Sequence, residues 1–116
     1  MNSRFNPYSN DVKKHDWNDN SIQWLNCIVD SDYEIANRWP YAIRNKKTKQ
    51  IISEWQDDDD NWLCYLNRKK YSKTRIIAIQ FIPNPNNYKY VIHKCYNNSD
   101  NHLYELEWSK DGVNPY

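Results

Sequence analysis

Glycine occurs once in the 116 residues, and long apolar runs are missing as well. No stretch approaches the roughly 18 consecutive apolar residues that a membrane-spanning helix requires. The first 20 residues have no apolar segment of the kind found in secretory signal peptides. The sequence therefore predicts neither a membrane partner nor a secretion signal.

Cysteines are few, and the net charge is small. The three cysteines, Cys27, Cys64 and Cys95, are odd in number and far apart. This spacing argues against a disulfide framework and predicts a reducing, intracellular location. The net charge of +1 excludes a protein-wide field that would draw in nucleic acid, so any such attraction has to come from local patches.

Aromatic residues are abundant, with ten Tyr and six Trp in a chain that is 16% aromatic. The low mean hydropathy of −1.12 would by itself suggest disorder, but disordered chains are poor in aromatics. Tyr and Trp bury large areas while one polar atom stays hydrated. We therefore expect one folded domain over residues 22–116, preceded by a flexible arm over residues 1–21.

Short apolar groups separated by turn-forming residues fill the first part of this domain, over residues 22–71. They predict antiparallel strands at 24–29, 33–37, 41–45, 50–55 and 61–67. A continuous apolar run at 72–82, stopped by Pro83, predicts a short helix. A second hairpin follows, with strands at 88–96 and 102–108, and Gly112 and Pro115 disfavour a helix in the tail.

One segment carries a family resemblance. Residues 74–109 contain the phrase FIPNP at 81–85, a histidine at 93, an Asn-rich turn at 97–101 and the phrase LEW at 106–108. This string resembles the HNH family of small DNA endonucleases from phages, introns and giant viruses. Residues 33–55 resemble a small modular domain often fused before such nucleases. The resemblance implies an α+β fold, in which a small antiparallel meander precedes a degenerate ββα-metal hairpin unit (72–116) with a short helix.

The same resemblance assigns roles to single residues. His93 matches the general base that activates water, and Glu105 replaces the asparagine that orients it. Ile92 stands where the family has an Asp or Asn metal ligand, and an aliphatic side chain cannot bind a cation. Asn114 falls at about the spacing of the ligand on the terminal helix. Thr74 stands where relatives often have histidine.

These replacements favour a pseudo-enzyme in which His93 and Glu105 are vestigial. A general base alone supplies about 10²–10⁴-fold in rate, so we expect very slow DNA hydrolysis. No cofactor is expected under this interpretation. Mg²⁺ or Mn²⁺ is implied only under the alternative, an active DNA phosphodiesterase with a rearranged site.

The basic residues suggest a function that does not require catalysis, namely DNA binding. Between Arg38 and Arg75 there are ten Lys or Arg against five Asp or Glu, a local excess of five positive charges. Such side chains on neighbouring strands can follow a phosphate backbone independently of sequence. The candidate DNA-binding residues are Arg44, Lys46, Lys47, Lys49, Arg68, Lys69, Lys70, Lys73 and Arg75.

Other interpretations stay open. Exposed Trp and Tyr would suit a module that binds a protein partner or self-associates. His93 with Cys95 and Cys64 offers zinc-type ligands, but no paired motif supports a zinc site. The Asp57–Asp60 run is typical of a solvated loop rather than a cation site. The Asn-rich, Gly-poor composition and the family's distribution suggest a large DNA virus, and hence the cytoplasm or nucleus of its host.

Overall fold

Two consecutive three-stranded sheets form the first half of the chain in a computed structural model that describes residues 8–116. The first sheet has the order β1-β2-β3, with β1 at Trp24–Asn26, β2 at Tyr33–Ala36 and β3 at Ile43–Asn45. Its antiparallel register aligns Leu25, Ile35 and Ile43, and the last two are fully buried. The alternation of apolar and polar residues therefore produces a sheet with one face on the core.

The second sheet has the order β4-β5-β6, with β4 at Glu54–Gln56, β5 at Trp62–Leu66 and β6 at Lys69–Ser72. β5 and β6 are joined by Asn67 and Arg68, which both have positive φ (47° and 68°). Two adjacent left-handed residues give the tight turn that matches the twist of a hairpin.

The predicted meander is therefore divided. Residues 46–53 connect the two sheets, and Lys49 has positive φ (63°) in the turn that brings residues 50–52 back against β3. There the Asn45 amide donates to the Gln50 carbonyl at 3.0 Å and the Ile52 amide to the Ile43 carbonyl at 2.8 Å. The segment predicted as one strand at 50–55 therefore changes partner, because from Glu54 onward it pairs with β5 of the second sheet.

The predicted helix is confirmed as α1, Lys73–Phe81. Ser72 begins it, because its hydroxyl accepts a hydrogen bond from the Arg75 amide at 3.2 Å. Ile76 and Ile77 of this helix are buried in one apolar cluster with side chains of both three-stranded sheets and of the later hairpin. Within residues 8–116 no helix is long and apolar enough to cross a membrane.

The predicted second hairpin is also confirmed. β7 (Tyr90–His93) pairs with β8 (Leu106–Ser109), in a register that sets His93 opposite Leu106. The Trp108 indole donates to the Ile82 carbonyl at 3.0 Å and so ties the hairpin to the end of α1. The α+β class is confirmed, and residues 110–116 contain no helix, as Gly112 and Pro115 indicated. The ββα-metal arrangement implied by the resemblance is not confirmed, because α1 precedes the hairpin.

The N-terminal arm lies partly outside the described residues, which begin at residue 8. Its later part holds a short 3₁₀ helix, Val12–Lys14, with Val12 fully buried. The Lys13 ammonium donates to the Ile51 carbonyl at 2.8 Å, and the Trp17 indole donates to the Val12 carbonyl at 2.6 Å. Residues 12–17 thus pack against the connection between the two sheets.

A buried ion pair joins the second sheet to α1. The Lys73 ammonium contacts the Glu54 carboxylate, and both side chains are 1% exposed. The same ammonium donates to the Pro40 carbonyl at 3.3 Å, which belongs to the turn between β2 and β3. One interior cation therefore connects the helix, the second sheet and the first sheet.

We expect Lys73→Ala to lower the free energy of unfolding by about 3–5 kcal/mol, because it leaves a carboxylate buried without its partner. The exposed neighbour Lys70→Ala is the matched control and should change stability by no more than about 0.5 kcal/mol. Urea unfolding followed by circular dichroism measures both. The double variant Lys73→Met with Glu54→Leu should recover most of the loss, and equal stability of Lys73→Ala and the parent chain would contradict the role of the pair.

Candidate functional site

His93 ends β7 and is half-buried at the N-terminal end of α1. Its Nε2 lies 3.2 Å from the Thr74 hydroxyl oxygen and 3.1 Å from Asn101 Oδ1. The Thr74 hydroxyl in turn donates to Asn101 Oδ1 at 2.6 Å. Thr74 and Asn101 are buried, so the imidazole edge is held by two fixed polar groups.

This triangle of atoms determines the tautomer of the imidazole. Asn101 Oδ1 is only an acceptor, and the single Thr74 hydroxyl proton is already donated to it. The contacts at Nε2 are therefore hydrogen bonds only if Nε2 carries the proton and donates. In the neutral ring this leaves the lone pair on Nδ1, which is then the basic nitrogen.

Asn101 was not foreseen from the sequence, where it is one of several asparagines in a turn. Among residues 8–116 the hydrogen bonds to the His93 ring come from Thr74 and Asn101, and Glu105 supplies none. The Glu105 carboxylate lies beside Cys95, where burial and then this carboxylate raise the pKa of the thiol. The orienting contacts thus come from the turn and from α1.

Ile92 and Asn114 occupy the positions assigned to the metal ligands. Ile92 is 6% exposed and faces the interior. Asn114 lies close to the hairpin, as its spacing suggested, but its Nδ2 donates to the His93 carbonyl at 2.7 Å. Its Oδ1 accepts from the Tyr116 amide at 2.9 Å, so Asn114 fastens the tail to the hairpin.

An open cleft of about 370 Å³ lies beside the imidazole, between the hairpin, the start of α1 and the second sheet. The Asp57–Asp60 loop reaches this cleft, because the Asn98 side chain donates to the Asp59 carbonyl at 3.1 Å. The residues that line the cleft are Asp57, Asn61, Leu63, Ser72, Thr74, Arg75, Tyr90, Val91, His93 and Asn98.

These residues do not fit a hard divalent cation, which prefers several oxygen ligands including carboxylates. Asp57 is the acidic residue of the lining, and its Oδ1 accepts from the Asp59 and Asn61 amides at 2.9 and 3.0 Å. Burial opposes the shift, but these hydrogen bonds hold the pKa of Asp57 below its ordinary value. Within residues 8–116 no group of three or more His, Cys, Asp or Glu side chains is arranged to bind a metal ion.

The zinc alternative fails for the same reason and for one more. Cys64 is fully buried in the core, where burial raises the pKa of its thiol to about 12. Cys64 belongs to the apolar cluster and is not among the residues that line the cleft.

The nine basic candidates divide into two sets. In the first stretch Arg44 and Lys49 both bind the Glu34 carboxylate, at 3.0 and 3.3 Å, and the Lys46 ammonium donates to Asn26. Lys47 is exposed. In the second stretch Lys73 is buried. The exposed members of the second stretch, which form no ion pair within the described chain, are Arg68, Lys69, Lys70 and Arg75.

Arg75 connects this basic set to the cleft. Its guanidinium donates to the Lys89 carbonyl at 2.7 Å and lies over the Trp108 ring at 5.6 Å from the centroid. It also lines the cleft next to Thr74 and His93. The Arg75 guanidinium, held by its hydrogen bond to Lys89, therefore places a positive charge in the lining of the cleft.

Comparison with known proteins gives one informative match. The chain is 45% identical over 91 residues to an uncharacterized HNH endonuclease of Acanthamoeba polyphaga mimivirus. Over that part the chain is related to an HNH endonuclease. The match covers 75% of this chain but 27% of the mimivirus protein, so the chain spans about a quarter of the length of that relative. No protein-family model and no solved structure matches the chain.

The imidazole geometry makes a prediction for NMR. In its neutral form His93 should carry its proton on Nε2, which long-range ¹H–¹⁵N correlation spectra detect directly. Asn101→Leu removes the acceptor and should shift the ring toward a mixture of tautomers, whereas His102, which contacts Asp100 through Nδ1 at 2.6 Å, serves as an internal reference. A proton on Nδ1 of His93 in the parent chain would refute the arrangement.

Proposed function

We propose that this chain is a catalytically impaired relative of the HNH endonucleases that binds DNA. The observation that carries the proposal is the buried Ile92 beside a fully oriented His93. His93 is present and is positioned by Thr74 and Asn101, while the neighbouring position that would supply an oxygen ligand is aliphatic.

The chemistry of phosphodiester hydrolysis supports the first half of the proposal. The reaction needs an activated water and a cation that stabilises the charge on the reacting phosphate. His93 supplies a basic nitrogen, and Arg75 supplies one positive charge at the cleft. Asn114 is engaged by the backbone through both atoms of its amide, and Asp57 accepts hydrogen bonds from its own loop. The two positions that hold the metal ion in the family, 92 and 114, are thus an aliphatic side chain and an amide engaged by the backbone.

Charge on the surface supports the second half. Arg68, Lys69 and Lys70 are exposed on the turn and the strand that lead to the cleft, and none of them is within ion-pair distance of a described acidic group. We leave Lys73 out of the DNA-binding set, because its ammonium is in the interior. Arg44 and Lys49 contribute less, since they share a carboxylate.

The mimivirus relative supports an origin in a large DNA virus and a role inside an infected host cell. This chain matches about a quarter of that protein, and the proposed DNA binding concerns that part alone.

DNA binding should depend on the second basic stretch. Replacing Arg68, Lys69 and Lys70 by Ala should weaken binding to duplex DNA. The slope of log affinity against log salt is negative, and each lost phosphate contact should make it less steep by about 0.9. The matched control replaces Lys46, Lys47 and Lys49 by Ala, which removes the same charge but should cost less. Fluorescence anisotropy at increasing KCl measures both. Equal loss in the two triple variants would contradict the assignment of the surface, and no binding by the parent chain at low salt would refute the function.

Cleavage should be absent or very slow. Supercoiled plasmid incubated with the protein and Mg²⁺ or Mn²⁺ should be nicked no faster by the parent chain than by His93→Ala. Nicking that requires a divalent ion and disappears in His93→Ala would show instead an active endonuclease with a rearranged site.

A further inference from the structure

Two aromatic rings are stacked on the solvent side of the second sheet. Trp55 of β4 and Tyr65 of β5 have ring centroids 5.1 Å apart and an interplanar angle of 28°. They are 38% and 52% exposed, so much of the pair faces water. An exposed pair of large flat rings is a feature that often marks a binding surface.

The pleat of the sheet determines what else shares this face. Glu54, Cys64 and Leu66 point into the interior, where Cys64 and Leu66 are fully buried. Side chains alternate along a strand, so Trp55 and Tyr65 point outward. The outer face formed in this way consists of Trp55, Leu63, Tyr65, and the register partners Lys70 (opposite Tyr65) and Ser72 (opposite Leu63).

This outer face continues into the His93 cleft. Leu63 and Ser72 belong to the outer face and also line the cleft, together with Thr74, Arg75 and His93. Tyr65 is two residues along β5 from Leu63, a distance of about 7 Å. Trp55 is directly opposite Leu63 in the register, so the aromatic pair adjoins the edge of the cleft. Lys70 also lies close enough to Asp57, another lining residue, for their charges to interact. Burial opposes the shift, but hydrogen bonds and, to a smaller extent, the Lys70 ammonium lower the pKa of the Asp57 carboxyl.

We propose that this outer face binds an unpaired stretch of DNA, with bases stacked on Trp55 and Tyr65 and the phosphates passing Lys70 toward the cleft. The inference rests on the proposed DNA-binding function and specifies its ligand as single-stranded DNA. Aromatic stacking with flanking cations is the chemistry that binds unpaired bases without sequence preference, since every base has a flat face. Bases inside a duplex are already stacked on each other and do not present that face.

Charge favours this occupant over a second copy of the chain. The face carries Lys70, and Arg68 is exposed on the adjoining turn, so two such faces brought together would place like charges against each other. A phosphate backbone is complementary to the same cations.

The test uses the full chain and a fluorescein-labelled twelve-nucleotide oligo(dT), with a twelve-base-pair duplex for comparison. The double variant Trp55→Leu with Tyr65→Leu should weaken oligo(dT) binding at least fivefold, the loss expected from about 1–3 kcal/mol of stacking per base, and change duplex binding less than twofold. Tyr104→Leu, which removes an exposed tyrosine elsewhere, is the matched control and should bind like the parent chain. Urea unfolding checks that each variant is folded.

A second measurement does not depend on variants. Irradiation of the parent chain with oligo(dT) containing 5-iodouracil should give an adduct at Trp55 or Tyr65, located by mass spectrometry. Adducts elsewhere only would overturn the inference.

The outcomes separate this inference from the broader function. If the double variant binds oligo(dT) like the parent chain while the Arg68, Lys69 and Lys70 triple variant does not, the stacking surface is refuted and DNA binding stands. If the parent chain binds neither the duplex nor oligo(dT), both fail. Tighter binding of oligo(rU) than oligo(dT) would overturn DNA as the ligand, and a dimer in light scattering that Trp55→Leu with Tyr65→Leu abolishes would assign the face to self-association.

Discussion

A lysine ammonium and a glutamate carboxylate meet in the interior, and the positions of the helix and of the cleft depend on that contact. Lys73 is the first residue of α1, so its contacts with Glu54 and the Pro40 carbonyl attach the start of the helix to both sheets. Burial raises the pKa of the Glu54 carboxyl, with the neighbouring Lys73 charge opposing that shift. Ions are costly to bury, and this pair is tolerated because each partner compensates the other. The next residue, Thr74, is thereby placed against the imidazole of His93.

Under the proposed function, the contacts that orient a general base are separate from the ligands that bind a metal ion. Orientation of His93 requires only one hydroxyl and one amide, and both come from buried positions that the fold itself immobilises. Metal binding requires charged oxygen donors beside the ring, where burial without a cation would be unfavourable. An aliphatic residue at position 92 removes that cost and adds apolar burial instead. Under that proposal, isoleucine at position 92 favours the stability of the hairpin over metal binding.

The fold was largely predictable because its elements follow from local patterns, whereas the site was not. Short apolar groups located five of the six strands in the two three-stranded sheets, and Pro83 correctly ended the helix. The basic segment that forms β6 (Lys69–Ser72) has no such apolar group and was not predicted as a strand. The segment predicted as one strand at 50–55 changes partner between Ile52 and Glu54, from β3 to β5, and no local pattern signals that change. The contact of Asn101 with His93 and the burial of Lys73 are tertiary: neither an asparagine among asparagines nor a lysine in a basic run reveals its partner.

Net charge is a poor guide to the electrostatics of this surface, because acidic and basic groups are not evenly mixed. In the first basic stretch Arg44 and Lys49 share the Glu34 carboxylate; burial opposes the shift, but these two cations lower the pKa of Glu34. The four-residue acidic run is held at one wall of the cleft by its own backbone hydrogen bonds and by Asn98. In the second basic stretch, the cations that form no ion pair within the described residues lie on one strand, one turn and the start of the helix. At a Debye length of about 10 Å in 0.1 M salt, a phosphate at that surface is affected by these neighbours rather than by the total of +1. A nearly neutral chain can therefore present a locally cationic path, and it does so on the face that also carries exposed aromatic rings.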